Sequence, residues 1–253
     1  MSAAALLAAI AYGLASAWAA EVLVRAVPDR VRPGLVLRCT HCAAAFPRVA
    51  SLPVIGWFTG RSCPSCGTPR PRRVVWQDIA ALGASVLVCA AGMAPLVTLA
   101  WLAFVPVAVA LASIDLELKR LPDLLTLPSA AAVLVLLAFD ASVRGSGMLV
   151  TTVASSAALF CVYLVMNLVT RGGMGMGDVK LALVLGALLG VLGAAAVLVA
   201  TLLAFVLGGL ISSVLLLARR ASRKSTIPFG PFMILAAFAT LPLGNPILNL
   251  LGM

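Results

Sequence analysis

The chain has 253 residues, of which 63% are hydrophobic and only 10% charged, with a formal net charge of +10. Such a composition cannot clothe a soluble globule in polar groups, so it excludes an ordinary soluble enzyme or binding module and defines a polytopic membrane protein. The positive charge needs no nucleic acid to explain it, because its distribution along the chain follows the membrane topology.

A stretch crossing a hydrocarbon core of about 30 Å needs roughly 20 apolar residues. Eight candidates run at about 3–25, 79–95, 96–114, 124–140, 148–169, 179–192, 194–218 and 229–251. The fourth and sixth are short, and only Gly190 and Gly193 divide the sixth from the seventh, which leaves a seven-span reading open. The first resembles a signal peptide at Ala15-Ser16-Ala17 and Ala19-Ala20. It lacks a basic leading region and is followed by an Arg-rich stretch that resists export, so it is read as a retained helix. If 28–77 is cytoplasmic and eight spans alternate, 17 of the 18 basic residues fall inside and only Arg144 outside, with both termini external. That face would favour anionic lipid headgroups.

Residues 28–77 form the long polar excursion. Cys39-Thr40-His41-Cys42 and Cys63-Pro64-Ser65-Cys66 give two C-x2-C pairs separated by twenty residues. This spacing closes a tetrahedral thiolate site, with zinc as the natural metal and Cys39, Cys42, Cys63 and Cys66 as ligands. Four ligands leave no open position, so the ion would be structural; Gly67 suits the tight turn of the second knuckle. Disulfides or free thiols are the other uses of such cysteines, and a cytoplasmic setting disfavours disulfides. His41 is read as solvent-facing, and Cys89 and Cys161 as small packing residues within spans.

The domain organisation expected is a first membrane helix at 1–27, a four-cysteine zinc module at 28–77 and a membrane-embedded aspartyl peptidase unit at 78–253. The fold class is all-α, about eight transmembrane helices with a small cytoplasmic zinc-binding insert between the first two.

Two acids stand at apolar helix ends, where dehydration is costly. Asp115 closes the third span, where the helix dipole disfavours a carboxylate; a salt bridge to Lys119 or Arg120 is its alternative role. Asp178 follows Gly175-Met176-Gly177 and opens the sixth span, so N-capping is its alternative. The topology puts both at one face and one depth. Two adjacent carboxylates can share a proton, one deprotonating a water while the other polarises a carbonyl, which is general acid/base peptide hydrolysis. Other chemistries lack their residues: the single histidine lies between cysteines, and no H-E-x-x-H helix, phosphate loop or dinucleotide fingerprint occurs. Asp123, after Pro122, is read as a helix cap.

These residues resemble the type IV prepilin peptidases, membrane aspartic proteases with a G-x-G-D motif. Gly175, Gly177 and Asp178 carry the motif, continued by Val179-Lys180-Leu181; Ile114-Asp115 with Leu121-Pro122-Asp123 carry the other acid. Leu52 to Trp57, Gly60-Arg61 and the second cysteine pair resemble the family's cytoplasmic module, and Ile227-Pro228-Phe229-Gly230-Pro231-Phe232 its C-terminal signature. The resemblance implies removal of a basic leader from prepilins or pseudopilins at the inner face of a bacterial cytoplasmic membrane, alongside pilus or type II secretion machinery. Many members also methylate the new N-terminus with S-adenosylmethionine. Here the chain departs: Ala20-Glu21-Val22-Leu23-Val24-Arg25 replaces the usual G-S-F-L-N segment, and Val75-Trp76-Gln77-Asp78 stands where a Y-P-x-x-E context is usual. A non-enzymatic zinc-containing scaffold of the same systems is the alternative from another class. A carboxylate-lined ion pathway is a third, and it would place acids at the bilayer midplane.

Overall fold

The computed structural model describes residues 2–26, 39, 41–42, 44–45, 53, 62–69, 73–145, 147–170, 174–219 and 228–242. Among them are eight helices and no strands: α1 Ala3–Ala26, α2 Arg73–Ala90, α3 Pro95–Leu118, α4 Asp123–Arg144, α5 Gly147–Val169, α6 Met176–Gly190, α7 Ala194–Leu217 and α8 Gly230–Thr240. Six are long and apolar enough to cross a membrane; α6 has 15 residues, and α8 has 11. Each of the eight expected segments therefore contains a helix among the described residues, with these two falling short of a full span. Most of the excursion at 28–77 lies outside the described residues, as does the boundary expected at 27/28; the boundary expected at 77/78 falls inside α2.

Helix ends follow local chemistry. Pro95 occupies the first turn of α3, where its missing N–H costs nothing, and Lys119 ends α3 in the left-handed region with its N–H donated to Asp115 O at 2.8 Å. Gly193, at φ +107°, turns the chain between α6 and α7. The break at Gly190 to Gly193 divides the expected sixth and seventh segments into two helices. Two boundaries differ from the sequence reading. Helix α2 begins at Arg73, six residues before the expected span, because Gln77 and Asp78 are buried in the bundle instead of lying in a polar connection. Helix α3 runs on to Leu118, so Asp115 sits inside its last turn.

Lipid supplies no hydrophobic force between helices, so close approach of small residues must hold them. Helix α6 is the buried element, with Asp178, Val179 and nine later residues enclosed by α3, α4, α5, α7 and α8. Its packing on α5 depends on Gly186 and Gly190. A Cβ at Gly186 would lie 2.7 Å from Ser156 Cα, and one at Gly190 would lie 2.7 Å from Ser155 Cβ. The Ser156 hydroxyl donates across the same contact to Leu183 O at 2.8 Å. On the other side, α1, α2 and α3 pack together, with Gly13 of α1 against Leu82 of α2 and Tyr12 donating to Leu102 O. Large exposed apolar residues such as Val135, Val165, Leu202 and Leu217 form the outer face that a membrane requires.

Candidate active site

Polar contacts gather at one end of the bundle. Arg73 at the start of α2 pairs with Glu117 at the end of α3, at 2.5 Å, and Lys180 near the start of α6 donates to both oxygens of Asp123 at the start of α4, at 2.7 Å each. Asp123 is therefore not a cap. Pro122 holds the cap position of α4, and the Asp123 carboxylate ties α4 to α6.

Asp115 and Asp178 come from this same end and are 4% and 6% exposed. Asp115 does not play its alternative role, and Asp178 is not itself the cap residue, although its carboxyl does bond the backbone of Gly175 at the start of α6. Asp115 is not paired with Lys119 or Arg120; its Oδ2 instead accepts the Gly230 N–H at 3.2 Å, from the first turn of α8. Asp178 is third in α6, behind the cap residue Gly175, whose carbonyl accepts the Asp178 N–H at 3.0 Å. Asp178 Oδ1 is buried without a hydrogen-bond partner among the described residues. Gly230 lies between the acids: a Cβ built there would be 2.8 Å from Asp115 Oδ2 and 3.4 Å from Asp178 Oδ1. Both carboxylates thus face one small volume roofed by the backbone of α8.

The surrounding residues fix that volume. Leu121, in the turn after α3, lies 2.6 Å through its Cβ from where a Gly177 Cβ would stand, and its Cδ1 is 3.3 Å from the same point at Gly230. Gly177 is required for this wedge. Asn167 at the end of α5 donates to Met174 O and so anchors the glycine run leading into α6. Pro228 and Phe229 lead into Gly230, and Pro231 follows within the first turn of α8, where proline is tolerated. Phe229 packs on Tyr163, Phe205 and Phe232 with ring centroids 6.2, 5.0 and 6.3 Å apart, which fixes the start of α8. Asn167 escaped the sequence reading, and Leu121 and Gly230 entered it only as parts of motifs, without the wedge and the amide contact that they supply here.

The cysteine module stands against α1. All four Sγ atoms of Cys39, Cys42, Cys63 and Cys66 lie within 4.8 Å of one another, with Cys39 to Cys66 and Cys42 to Cys63 at 3.6 Å. Tetrahedral thiolates on zinc at 2.3 Å would be about 3.8 Å apart, so the group has the dimensions of a metal site, and a disulfide would need about 2 Å. All six cysteines are free thiols. Gly67 turns the second knuckle at φ +69° and donates to Cys63 O, as its position predicts. His41 is exposed and its N–H reaches Cys39 Sγ at 3.4 Å. Cys161 is exposed on the outer face of α5, not packed within the span.

Cys39 and Cys63 pack against Val22, next to Glu21. Glu21 is buried and accepts from Arg25 Nε at 2.6 Å, and its Oε2, like both polar atoms of the buried Gln77 amide, has no hydrogen-bond partner among the described residues; Asp78 is buried beside them in sequence.

A helical membrane bundle that turns two buried carboxylates toward one point at its end has the form of a membrane-embedded acid/base hydrolase. Residues 102–213, which include both acids, match the type IV leader peptidase family. The chain is 32% identical over 211 residues to a prepilin leader peptidase/N-methyltransferase of Aeromonas hydrophila, covering 83% of this chain and 72% of that protein. Proteins of the same name from Dichelobacter nodosus and Burkholderia pseudomallei (strain K96243) are 30% and 31% identical, over 85% and 93% of this chain and 73% and 79% of theirs. No solved structure matches. The chain belongs to the type IV leader peptidase family.

Proposed function

We propose that this protein is a membrane aspartic endopeptidase that removes the basic leader of prepilin-like substrates, with Asp115 and Asp178 as its catalytic pair. The observation that carries the reading is the convergence of both carboxylates on Gly230. Asp115, oriented by the Gly230 N–H, is the base: it takes a proton from a water whose oxygen attacks the scissile carbonyl carbon. Asp178, with its buried oxygen free to engage substrate, carries the proton that polarises the carbonyl and then passes to the departing amine as the C–N bond breaks. The support for the membrane orientation is charge. Arg25, Arg73, Lys119, Arg120, Lys180 and Arg219 cluster at the acid end, and Arg144, paired with Asp140, lies at the other, so the acids and the cysteine module face the cytoplasm of a bacterial inner membrane and the termini lie outside. The test is reconstitution with a membrane-inserted prepilin: cleavage at the junction between basic leader and apolar helix supports the reading, and intact substrate across several prepilins overturns it.

Zinc, held by the four cysteines, would be structural, and pilus or secretion assembly proteins and anionic lipids would be its surroundings. Cys63→Ser is expected to lower bound zinc from about one per chain to a small fraction and to open 28–77 to proteolysis, measured by metal analysis and limited digestion. The names of the relatives support a second step, N-methylation of the new N-terminus. S-adenosylmethionine, when bound, supplies the methyl group. The Glu21 carboxylate and the Gln77 amide suit such a cation in kind, the carboxylate by its charge toward a sulfonium and the amide oxygen as an acceptor for an ammonium. A gain of one methyl in the mass of the cleaved product checks this step.

A further inference from the structure

The two acids stand on helices that barely touch. Helix α3, which carries Asp115, makes little direct contact with α6, which carries Asp178, whereas α4 and α8 pack on both. The separation of the acids therefore depends on what bridges α3 and α6. Helix α8 bridges them through Gly230, whose N–H bonds Asp115. The other bridge is the turn from α3 into α4, which is also the shortest route along the chain from Asp115 to an element packed on α6.

That turn is fixed along its whole length. At its start the Lys119 N–H donates to the carbonyl of Asp115 itself at 2.8 Å. In its middle Leu121 holds its Cβ 2.6 Å from where a Gly177 Cβ would stand. At its end both Asp123 oxygens accept from Lys180 Nζ at 2.7 Å. Gly177 and Lys180 are three residues apart and so lie on one face of α6, while Asp178 projects about 100° round from Gly177. The turn thus grips one face of α6 and leaves Asp178 directed at the point it shares with Asp115 and Gly230. A carboxylate about 5 Å from the helix axis moves by about 1 Å when the helix rotates by about 10°, so this grip controls where Asp178 stands.

We propose, resting on the peptidase reading, that the Asp123–Lys180 ion pair is the positioning device of the acid pair: it closes a ring from Asp115 through the α3–α4 turn to α6 and sets the rotation of α6 that aims Asp178. Both members are positioning residues and act through Asp178, not on the substrate. Lys180 is partly and Asp123 largely exposed, so the pair contributes little to stability. What it contributes is direction, because one ammonium held between two carboxylate oxygens fixes the start of α6 against the start of α4. Loss of the pair therefore leaves the bundle folded and the acids misaligned.

The test uses the full-length protein in liposomes with a membrane-inserted prepilin. Asp123→Ala and Lys180→Ala are each expected to lower kcat about ten- to a hundredfold, the cost of a misplacement near 1 Å, with KM and the unfolding temperature in detergent close to wild type. The double variant is expected to be no slower than the worse single one, because the second substitution removes nothing more. Lys180→Arg, which keeps a charge-assisted pair with Asp123, is expected to stay within about threefold of wild type. A second measurement needs no activity. In a protein lacking Cys89 and Cys161, Asp115→Cys with Asp178→Cys is expected to be joined between these positions by a short bis-thiol reagent, counted by mass spectrometry of the joined peptides. Adding Lys180→Ala is expected to slow that joining severalfold. Wild-type kcat in either alanine variant, a rise in KM in place of a fall in kcat, multiplied losses in the double variant, or unchanged joining would overturn the positioning role and leave the peptidase reading standing. Failure of the wild-type protein to cleave any prepilin would overturn the peptidase reading, and the joining rates would still decide whether the pair sets the separation of the acids.

Discussion

Asp115→Asn and Asp178→Asn are each expected to reduce leader removal by at least about a thousandfold, since a positioned acid or base contributes roughly 10²–10⁴ and neither residue can replace its partner. The substitutions are close to isosteric, and Asp115→Asn retains an oxygen that can still accept the Gly230 N–H. Each also removes a carboxylate from a buried setting, where an ionised group is costly, so thermal stability in detergent should be unchanged or higher. Initial rates of prepilin cleavage in liposomes, with unfolding temperatures measured on the same preparations, provide the check. A variant that folds and cleaves normally would remove that acid from the mechanism and leave it a structural group. A scaffold or an ion pathway predicts a different pattern, since neither requires cleavage to depend on both acids.

The two acids were legible because charge is rare in this chain: with 10% charged residues, a carboxylate at an apolar helix end stands out. The cysteine cluster, which has the dimensions to hold a metal, was legible for a similar reason, because C-x2-C spacing is dictated by local geometry and does not depend on how helices pack. What brings the acids together was not legible. Gly230 lies 115 residues from Asp115, and its N–H reaches the carboxylate only because α8 packs against α3. Leu121 and Asn167 act through contacts set by helix rotation, which an almost uniformly apolar helix does not encode in its periodicity. The early start of α2 was missed for the opposite reason. Gln77 and Asp78 look like loop residues to a hydropathy rule, yet they are buried where α2 meets its neighbours. Asp123 was misread because capping is a local rule, whereas its partner Lys180 comes from another helix 57 residues away.

Gly230→Ala separates positioning from chemistry at the acid pair. Gly230 does not have a positive φ, so a left-handed backbone does not exclude alanine there, although Pro231 after it narrows the helical conformation open to a residue with a Cβ. The amide that orients Asp115 is also retained. The added methyl, however, would stand 2.8 Å from Asp115 Oδ2 and 3.3 Å from Leu121 Cδ1, and Leu121 is already wedged against Gly177. Asp115 must therefore move by several tenths of an ångström, away from the point it shares with Asp178. Misplacement by about 1 Å can cost a hundredfold in rate, so kcat is expected to fall roughly ten- to a hundredfold. KM for a membrane-inserted prepilin should change little, because the added methyl is directed at the carboxylates and Leu121 and not at a surface that would hold the apolar segment of the substrate. Stability should shift by less than about 1 kcal/mol, which distinguishes the effect from misfolding. Wild-type kcat in a normally folded Gly230→Ala protein would mean that the carboxylates have room to rearrange and that the start of α8 does not set their geometry.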